Sequence, residues 1–419
     1  MTGKAERHAI VQVRWGPMAY RKAIVAPGQS LRVGRAESAE FVVPHDTKLA
    51  DAHFEVSWDG TRGWVKDLGT RTGTQLGGQR VEQAELTNGI WLRAGRTDFS
   101  VYFERTTPPP KALTEDSSEI TASKEQALKV LQEQKEPLYA ILDAARSERI
   151  LELLRESVEE HWSLYEGTQG EALADVAPYL VQLTSDSMLL EALVREGWTQ
   201  SWGIYLTCTL APLEVRRHFR KLLMVEAEDI ESKLYFRFYD PRTMQVFITT
   251  RTEPQRPELP TPISHFMYEG RNKELQHVPS GEQKLLGRPH ATRAIKISNH
   301  ELHLISNKIR EIELEKIKDH AKTWQQHTQS TNQATNEAVN NAIQEFNHHN
   351  LQNKEALEDL VTIILAKSRS PKLTALFTKL QQAIASLPPG ETHLKELALK
   401  YLAQAATRSI LPSHKTIQP

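Results

Sequence analysis

Short runs of alternating or β-branched apolar residues fill the first hundred positions: AIVQVRW at 9–15, KAIVA at 22–26, FVV at 41–43, HFEVSW at 53–58, GWVKDL at 63–68, IWLR at 90–93 and FSVYFE at 99–104. A period of two puts one face of each run in a core and the other in water, so these runs predict strands. Seven short strands between turn signals predict a β-sandwich. Asp59-Gly60 sits between two of the runs, where a tight hairpin needs residues that tolerate positive φ. Thr106-Thr107-Pro108-Pro109-Pro110 then stops the last strand, because consecutive prolines donate no ladder hydrogen bonds and favour a stiff linker. The sandwich is therefore expected over residues 1–107. Residues 108–135 are expected to form a Pro-rich linker and a short helix, opened by a capping box of Ser123 and Gln126 and ending near Lys135.

The pattern changes over residues 136–270. Apolar runs at 138–142, 179–183, 202–210, 234–239 and 244–249 predict strands. Between them SERILELLRESVEEHW (147–162), SMLLEALVREGW (187–198) and LEVRRHFRKLLMV (213–225) space their apolar residues three and four apart, as helices with one buried face do. This alternation predicts an α/β domain. Pro254, Pro257, Pro260, Pro262, Pro279 and Pro289 then predict a long irregular connection, with residues 271–295 as linker.

Residues 296–419 read as a helical C-terminal region. Leu302, Ile305, Ile309 and Ile312 form a stripe suited to packing on another helix. Residues 324–354 hold 13 Asn or Gln among 31, so a helix there has a weak apolar face and is expected to project into water or await a partner. Three later amphipathic stretches, divided by Pro371 and by Pro388-Pro389-Gly390, could close a small bundle. The expected fold class is multidomain: an all-β sandwich, an α/β domain and an α-helical C-terminal region.

Composition adds little to this division until it is resolved by position. The chain has 419 residues with a net charge of −1, which argues against a whole-molecule magnet for nucleic acid or anionic lipid. By section, residues 1–107 carry 15 basic and 12 acidic side chains, 108–295 carry 22 and 29, and 296–419 carry 15 and 12. Of the 20 glycines, 12 precede residue 108, in keeping with a turn-rich β unit. Cys208 is the single cysteine, so no intramolecular disulfide and no multi-thiolate zinc site can form. No run of about 18 apolar residues is present to span a membrane. A cytoplasmic protein without membrane insertion is expected.

Four landmarks in the first section, Gly34-Arg35, His53 within LADAHFEV, Asp67-Leu68-Gly69-Thr70-Arg71-Thr72-Gly73-Thr74 and the closing GIWLRAGRTDFSVYFE, give it a pattern that resembles the forkhead-associated (FHA) domain. That resemblance implies a β-sandwich whose loops at one end bind phosphothreonine. A dianionic phosphate needs a guanidinium, a hydroxyl and amide donors converging from several loops, and Arg35 and Thr70 could supply the first two. Where the family usually has a serine and an asparagine, this chain has Ala50 and Thr72, and Asp51 replaces a common basic residue. The candidate partner-binding residues are Arg35, Asp51, His53, Thr70, Arg71 and Thr72. His53 is expected to order the loop, and Arg35 could equally pair with Asp51. The departures favour a docking module or scaffold that does not need phosphate.

The middle section resembles the DUF4123 family of type VI secretion adaptors or chaperones. LYAILDAA (138–145), Leu164-Tyr165-Glu166-Gly167, APYLVQL (177–183), Trp202-Gly203 and FRFYDPR (236–242) carry the resemblance. Its motif residues are Asp143, Tyr165, Pro178, Trp202, Arg237, Asp240 and Pro241, mostly structural in expectation. Asp240-Pro241 is expected to end a strand, Tyr165 and Trp202 to lie in the core, and Arg237 with Asp143 to form a buried ion pair or a recognition surface.

Nothing in the spacing brings Asp143 and Asp240 together as paired acids or places His161 or His218 beside them as a base, and no G-x-S-x-G, P-loop or H-E-x-x-H occurs. Cys208 lies in an apolar run and is expected to be inert, and His348-His349 lack ligand spacing. The expectation is no enzyme, no cofactor and no metal. The resemblance implies an adaptor that binds a secreted effector protein, through its N-terminal segment, and hands it to the VgrG spike protein. The FHA-like domain would add a third contact on its tether. The alternative is a phosphothreonine-dependent regulator of the same secretion system.

Overall fold

A computed structural model describes residues 7–110, 116–227, 230–250, 263–279 and 296–300, and in the last third residues 331–348, 360–364 and scattered single positions. Two compact units divide it, Met1–Ile305 and Ser306–Pro419.

The first unit opens with eleven strands: β1 (Ala9–Val13), β2 (Lys22–Val25), β3 (Gln29–Gly34), β4 (Phe41–Val42), β5 (Phe54–Trp58), β6 (Gly63–Asp67), β7 (Thr74–Leu76), β8 (Gln79–Val81), β9 (Gln83–Leu86), β10 (Ile90–Ala94) and β11 (Thr97–Phe103). They form two sheets, β2-β1-β11-β10-β7-β8 and β4-β3-β5-β6-β9. The alternation in β5 shows how the sandwich closes. Phe54, Val56 and Trp58 are buried while Glu55 and Ser57 are less so, and the buried set packs with Val11, Val33, Val65, Leu92, Phe99 and Val101. The Asp59-Gly60 turn is a four-residue loop in which Asp59 Oδ1 accepts from the amides of Thr61 and Arg62 and Gly60 takes φ +97°.

The second part of this unit is built on a six-stranded sheet of order β13-β14-β12-β15-β18-β19, antiparallel throughout. Its strands are β12 (Leu138–Asp143), β13 (His161–Ser163), β14 (Pro178–Leu183), β15 (Gly203–Cys208), β18 (Ile263–Glu269) and β19 (Leu275–Pro279). Every residue of β12 is buried because both faces are covered. Leu138, Ala140 and Leu142 share a core with α1 (Ser118–Gln132), α2 (Glu148–Arg155) and α4 (Met188–Gly197). On the other face Phe266 meets Phe219 of α5 (Pro212–Leu222), which stacks on Phe238 with ring centroids 5.2 Å apart. A short helix α3 (Gly167–Ala172), a three-stranded sheet of β16 (Met224–Ala227), β17 (Ile230–Tyr235) and β20 (Lys296–Ile297), and α6 (Pro241–Thr250) complete the unit.

Several elements differ from the sequence expectation. α1 starts at Ser118 on the cap Ser117, whose side chain accepts from the Ile120 amide, so the Ser123–Gln126 pair is mid-helix. The helix expected over 147–162 stops at Arg155, and its last residues, His161 and Trp162, enter the edge strand β13. The run at 234–239 leaves its ladder after Tyr235, and 244–249 is helical. Asp240 therefore starts a helix where it was expected to end a strand: its carbonyl accepts from the Met244 amide at 2.9 Å and its Oδ1 from the Arg242 amide at 3.0 Å. Pro241 occupies the first helical position, where a missing N–H costs nothing, and Met244 and Phe247, three apart, are buried. The irregular segment expected over 271–295 begins instead with β19, which pairs with β18 as a hairpin and carries the sheet past residue 270 to Pro279. Pro254, Pro257, Pro260, Pro262 and Pro289 lie outside the described residues.

In the second unit α7 (Asn332–His348) buries Thr335, Ala338, Val339 and Ala342. Residues 332–348 of the Asn/Gln-rich segment thus make a helix with a narrow buried face of small residues, where a helix projecting into water or awaiting a partner was expected. Leu360, Val361 and Ile363 are also buried. The stripe at Leu302, Ile305, Ile309 and Ile312 and most of the three later helical stretches lie outside the described residues. Among the described residues no helix is long and apolar enough to cross a membrane.

Candidate functional site

Two places in the first unit gather the chemistry singled out in the sequence, the sandwich loops and a buried charge cluster in the second domain, and a third set of polar contacts lies at the seam between the two domains.

The loops are held from beneath by His53, which is fully buried. Its Nδ1 accepts from the Ala50 amide at 3.0 Å, which leaves the proton on Nε2, 3.1 Å from both the Gly73 carbonyl and Thr70 Oγ1. Thr70 donates its hydroxyl hydrogen to Asp67 Oδ1 at 2.8 Å, and Asp67 Oδ2 accepts from the amides of Gly69 and Thr70. Although burial works against its charge, hydrogen bonds from Thr74, Thr70 and their neighbours hold the Asp67 carboxyl below its usual range. Arg35 Nη2 donates to Asp51 Oδ1 at 2.8 Å, and both side chains are open to solvent, 43% and 64% exposed. Thr72 Oγ1 donates to the Lys48 carbonyl at 3.3 Å, and Arg71 is exposed. Arg35, Asp51, His53, Thr70 and Thr72 therefore belong to one linked set of loops.

The second cluster brings together residues that are far apart in the chain. Asp143, fully buried at the end of β12, is paired with Arg237, and Arg146 Nε lies 3.8 Å from its Oδ2. Arg146 also reaches Asp240 Oδ2 at 2.7 Å, and Arg242 meets the two oxygens of Asp240 at 3.0 and 2.6 Å. Burial raises the Asp240 pKa against the opposing pull of Arg146 and Arg237. The fold thus unites Asp143 and Asp240, which spacing alone kept apart, but with three guanidinium groups around them. His218, pushed down to about 4 by burial, and His161 stand elsewhere. Pro178 pairs with Asp143 across the sheet and its carbonyl accepts from Leu164. Trp202 is buried, with its carbonyl accepting from the Asp143 amide. Tyr165, expected in the core, is half-buried and donates its hydroxyl to Tyr235 at 2.8 Å. Among the described residues no three His, Cys, Asp or Glu side chains are grouped to hold a metal ion.

No sequence signal pointed to the seam. Lys22, at the start of β2, is buried and donates from Nζ to the carbonyls of Leu154, Ser157 and Glu159 at 2.5–2.9 Å, closing the C-terminal end of α2. In return Glu156 accepts from Asn88 Nδ2, from the amides of Thr106 and Thr107 and from Thr107 Oγ1, all within 2.5–2.8 Å. Tyr20 packs edge-on against Tyr179, and Gln12 Nε2 lies 3.3 Å from His161 Nε2. The sandwich is therefore fixed to its neighbour by direct contacts, in addition to the stiff Pro-rich linker expected between them. Beside the seam opens a groove of about 560 Å³ with Trp15, Met18 and Tyr20 on one wall and Trp162, Tyr165 and Leu213 on the other.

One consequence of the seam is a pH dependence. Burial, reinforced by the nearby charges of Lys22 and Arg155, holds the His161 imidazole well below its ordinary value of about 6.5. Below that pH the unfolded chain binds a proton that the folded one refuses. Stability is therefore expected to fall on acidification from about pH 6.5, by up to ~1.4 kcal/mol per pH unit from this group. Chemical denaturation at pH 7 and pH 5 should show the loss, and His161→Phe should flatten it; an unchanged slope in the variant would remove His161 as the cause.

With this geometry in place, the likenesses to known proteins can be read domain by domain. Residues 31–95 match the model of the FHA domain, and residues 138–258 that of a domain of unknown function, DUF4123. The chain joins an FHA domain to a DUF4123 domain. The FHA domain-containing protein FhaA of Mycobacterium tuberculosis is 32% identical over 69 residues, 16% of this chain and 13% of FhaA, so the chain spans well under two thirds of that relative. Among solved structures, an FHA domain from a study of phosphothreonine-dependent FHA domain interactions is 28% identical and covers 24% of this chain and 98% of its own, with a TM-score of 0.22. The FhaA FHA domain, solved in complex with an intracellular domain of another protein, is 29% identical over 22% of this chain and 98% of its own, with a TM-score of 0.21. The FHA loops described above fall inside the first match, and Asp143, Arg237 and Asp240 inside the second.

Proposed function

We propose that this protein is a type VI secretion adaptor, which binds a cognate effector and loads it onto the VgrG spike by protein–protein contact alone. The observation that carries this reading is the fate of the DUF4123 motif. Asp143 and Asp240, the carboxylates nearest to resembling a catalytic pair, are surrounded by Arg146, Arg237 and Arg242 and bind the start of α6 to the end of β12. Such groups hold a surface in shape; they are not poised for proton transfer. The aromatic groove beside the seam suits an apolar segment at the N-terminus of the effector, and the FHA domain extends the docking area beside it. The protein acts in the cytoplasm, before secretion, and needs no cofactor.

The test is direct mixing. Full-length protein is combined with the effector and the spike encoded beside its gene, and complexes are resolved by size-exclusion chromatography. Co-elution with the effector is expected, weakened at least tenfold by Leu213→Asp, a change at a 58% exposed groove residue that leaves the melting temperature in place. Separate elution of all three proteins would overturn the reading. The phosphothreonine-dependent regulator is the second reading, supported by the FHA match, and the Arg35–Asp51 pair weighs against it.

A further inference from the structure

The FHA loops carry their own anion. Gly34 passes so close to the backbone of Asp51 that a Cβ there would collide with the Asp51 carbonyl oxygen. The Arg35 amide donates to the Ala50 carbonyl at 2.9 Å and the Ala36 amide to that of Asp51 at 3.2 Å. These contacts lock the segment carrying Arg35 to the one carrying Asp51, so the guanidinium and the carboxylate meet by construction and need no long side chain to be recruited from afar. A second, independent feature lies across the loops. Thr70 has one hydroxyl hydrogen and spends it on Asp67, while His53 Nε2 and the Gly73 amide lie at 3.1 and 3.2 Å from the same oxygen. The Thr70 hydroxyl therefore has no hydrogen left for an incoming phosphate oxygen. None of the seam residues, Gln12, Tyr20, Lys22, Asn88, Thr106 and Thr107, belongs to these loops, and Arg35 and Asp51 remain exposed in the docked domain.

We propose that Asp51 is the specificity-determining residue of this FHA domain: it supplies Arg35 with an anion in cis, and so makes the loops a docking surface for an unmodified protein segment that shows no preference for phosphothreonine. The inference deepens the adaptor reading and rests on it for the kind of partner. A phosphate dianion arriving at Arg35 would meet a carboxylate already bound there, and like charges at such a distance repel. Neutralising Asp51 frees the guanidinium for the phosphate without disturbing the backbone contacts, which use the carbonyl of Asp51 and not its side chain.

The experiment uses the full-length protein, immobilised, and a degenerate phosphothreonine peptide library beside its unmodified counterpart. Wild type is expected to retain the two equally, within twofold. Asp51→Asn is expected to retain the phosphorylated library at least tenfold better than the unmodified one, and the added change Arg35→Ala to abolish that preference. A phosphate preference in wild type would overturn the proposal, and so would its absence in Asp51→Asn. Melting curves of each variant check the fold, which an exposed isosteric change should leave alone. Binding of the effector and spike is read in a separate experiment, so failure here and failure of the adaptor reading are told apart.

Discussion

Replacing Asp240 by alanine is expected to cost about 3–5 kcal/mol of stability, the largest single effect in the molecule. The carboxylate is buried between Arg146 and Arg242 and also starts α6, so the change strips three charge-assisted hydrogen bonds and the cap of a helix at once. Two guanidinium groups would be left in a poorly solvated space, Arg242 the more so because it is nearly buried. Asp240→Asn keeps an oxygen for the Arg242 amide and loses the charge, so its cost should fall between wild type and alanine. Urea denaturation followed by tryptophan fluorescence reads the difference. A midpoint unmoved by the alanine change would show that the cluster is not what holds this end of the domain.

The second large effect concerns the seam. Lys22→Met preserves most of the stem and removes the ammonium, leaving the carbonyls of Leu154, Ser157 and Glu159 without that donor. The Leu154 carbonyl keeps the Ser157 hydroxyl and the Glu159 carbonyl is only partly buried, so at about 1–3 kcal/mol per unsatisfied buried acceptor a loss of ~2–5 kcal/mol is expected, felt as uncoupling of the FHA domain. In wild type the FHA and DUF4123 domains should unfold together. In Lys22→Met the transition should split, and the segment around Pro108–Pro110 should become sensitive to protease once Thr106 and Thr107 leave Glu156. Glu156→Gln, which attacks the same seam from the other side, should reproduce the split in weaker form. A single coincident transition in both variants would mean that the seam contributes little.

The seam also shows what a sequence can and cannot carry. The sandwich was legible because its strands alternate in the chain itself, and β5 and β11 announce their buried faces through Phe54, Val56, Phe99 and Val101. Shorter strands such as β8 and β9, polar at most positions, gave no such signal. The helix α6 looks like a strand in the sequence because MQVFIT is rich in β-formers. The deciding features, an Asp cap and a proline at the first helical position, lie just before it. The hairpin of β18 and β19 was hidden by the density of prolines on either side. Lys22 looks, by alternation, like a wet position in a strand, and its role depends on carbonyls more than 130 residues away. For the same reason Asp143 and Asp240 stand in the sequence as separate motif residues: nothing in the spacing shows that Arg146 reaches both of them or that Arg242 turns back onto Asp240. At the FHA loops, by contrast, the identities already offered the Arg35–Asp51 pair as one of two equal readings, and the fifteen intervening residues fold back through β4 to bring the two together.

The adaptor account makes its sharpest claim about the spike. Purified VgrG and effector are mixed with and without the full-length protein, the spike is sedimented, and the effector in the pellet is quantified and weighed by intact-mass spectrometry. The account predicts at least tenfold more effector on the spike when the protein is present, with the effector's mass unchanged. Equal loading without the protein, or an effector cleaved or covalently altered by it, would contradict the account.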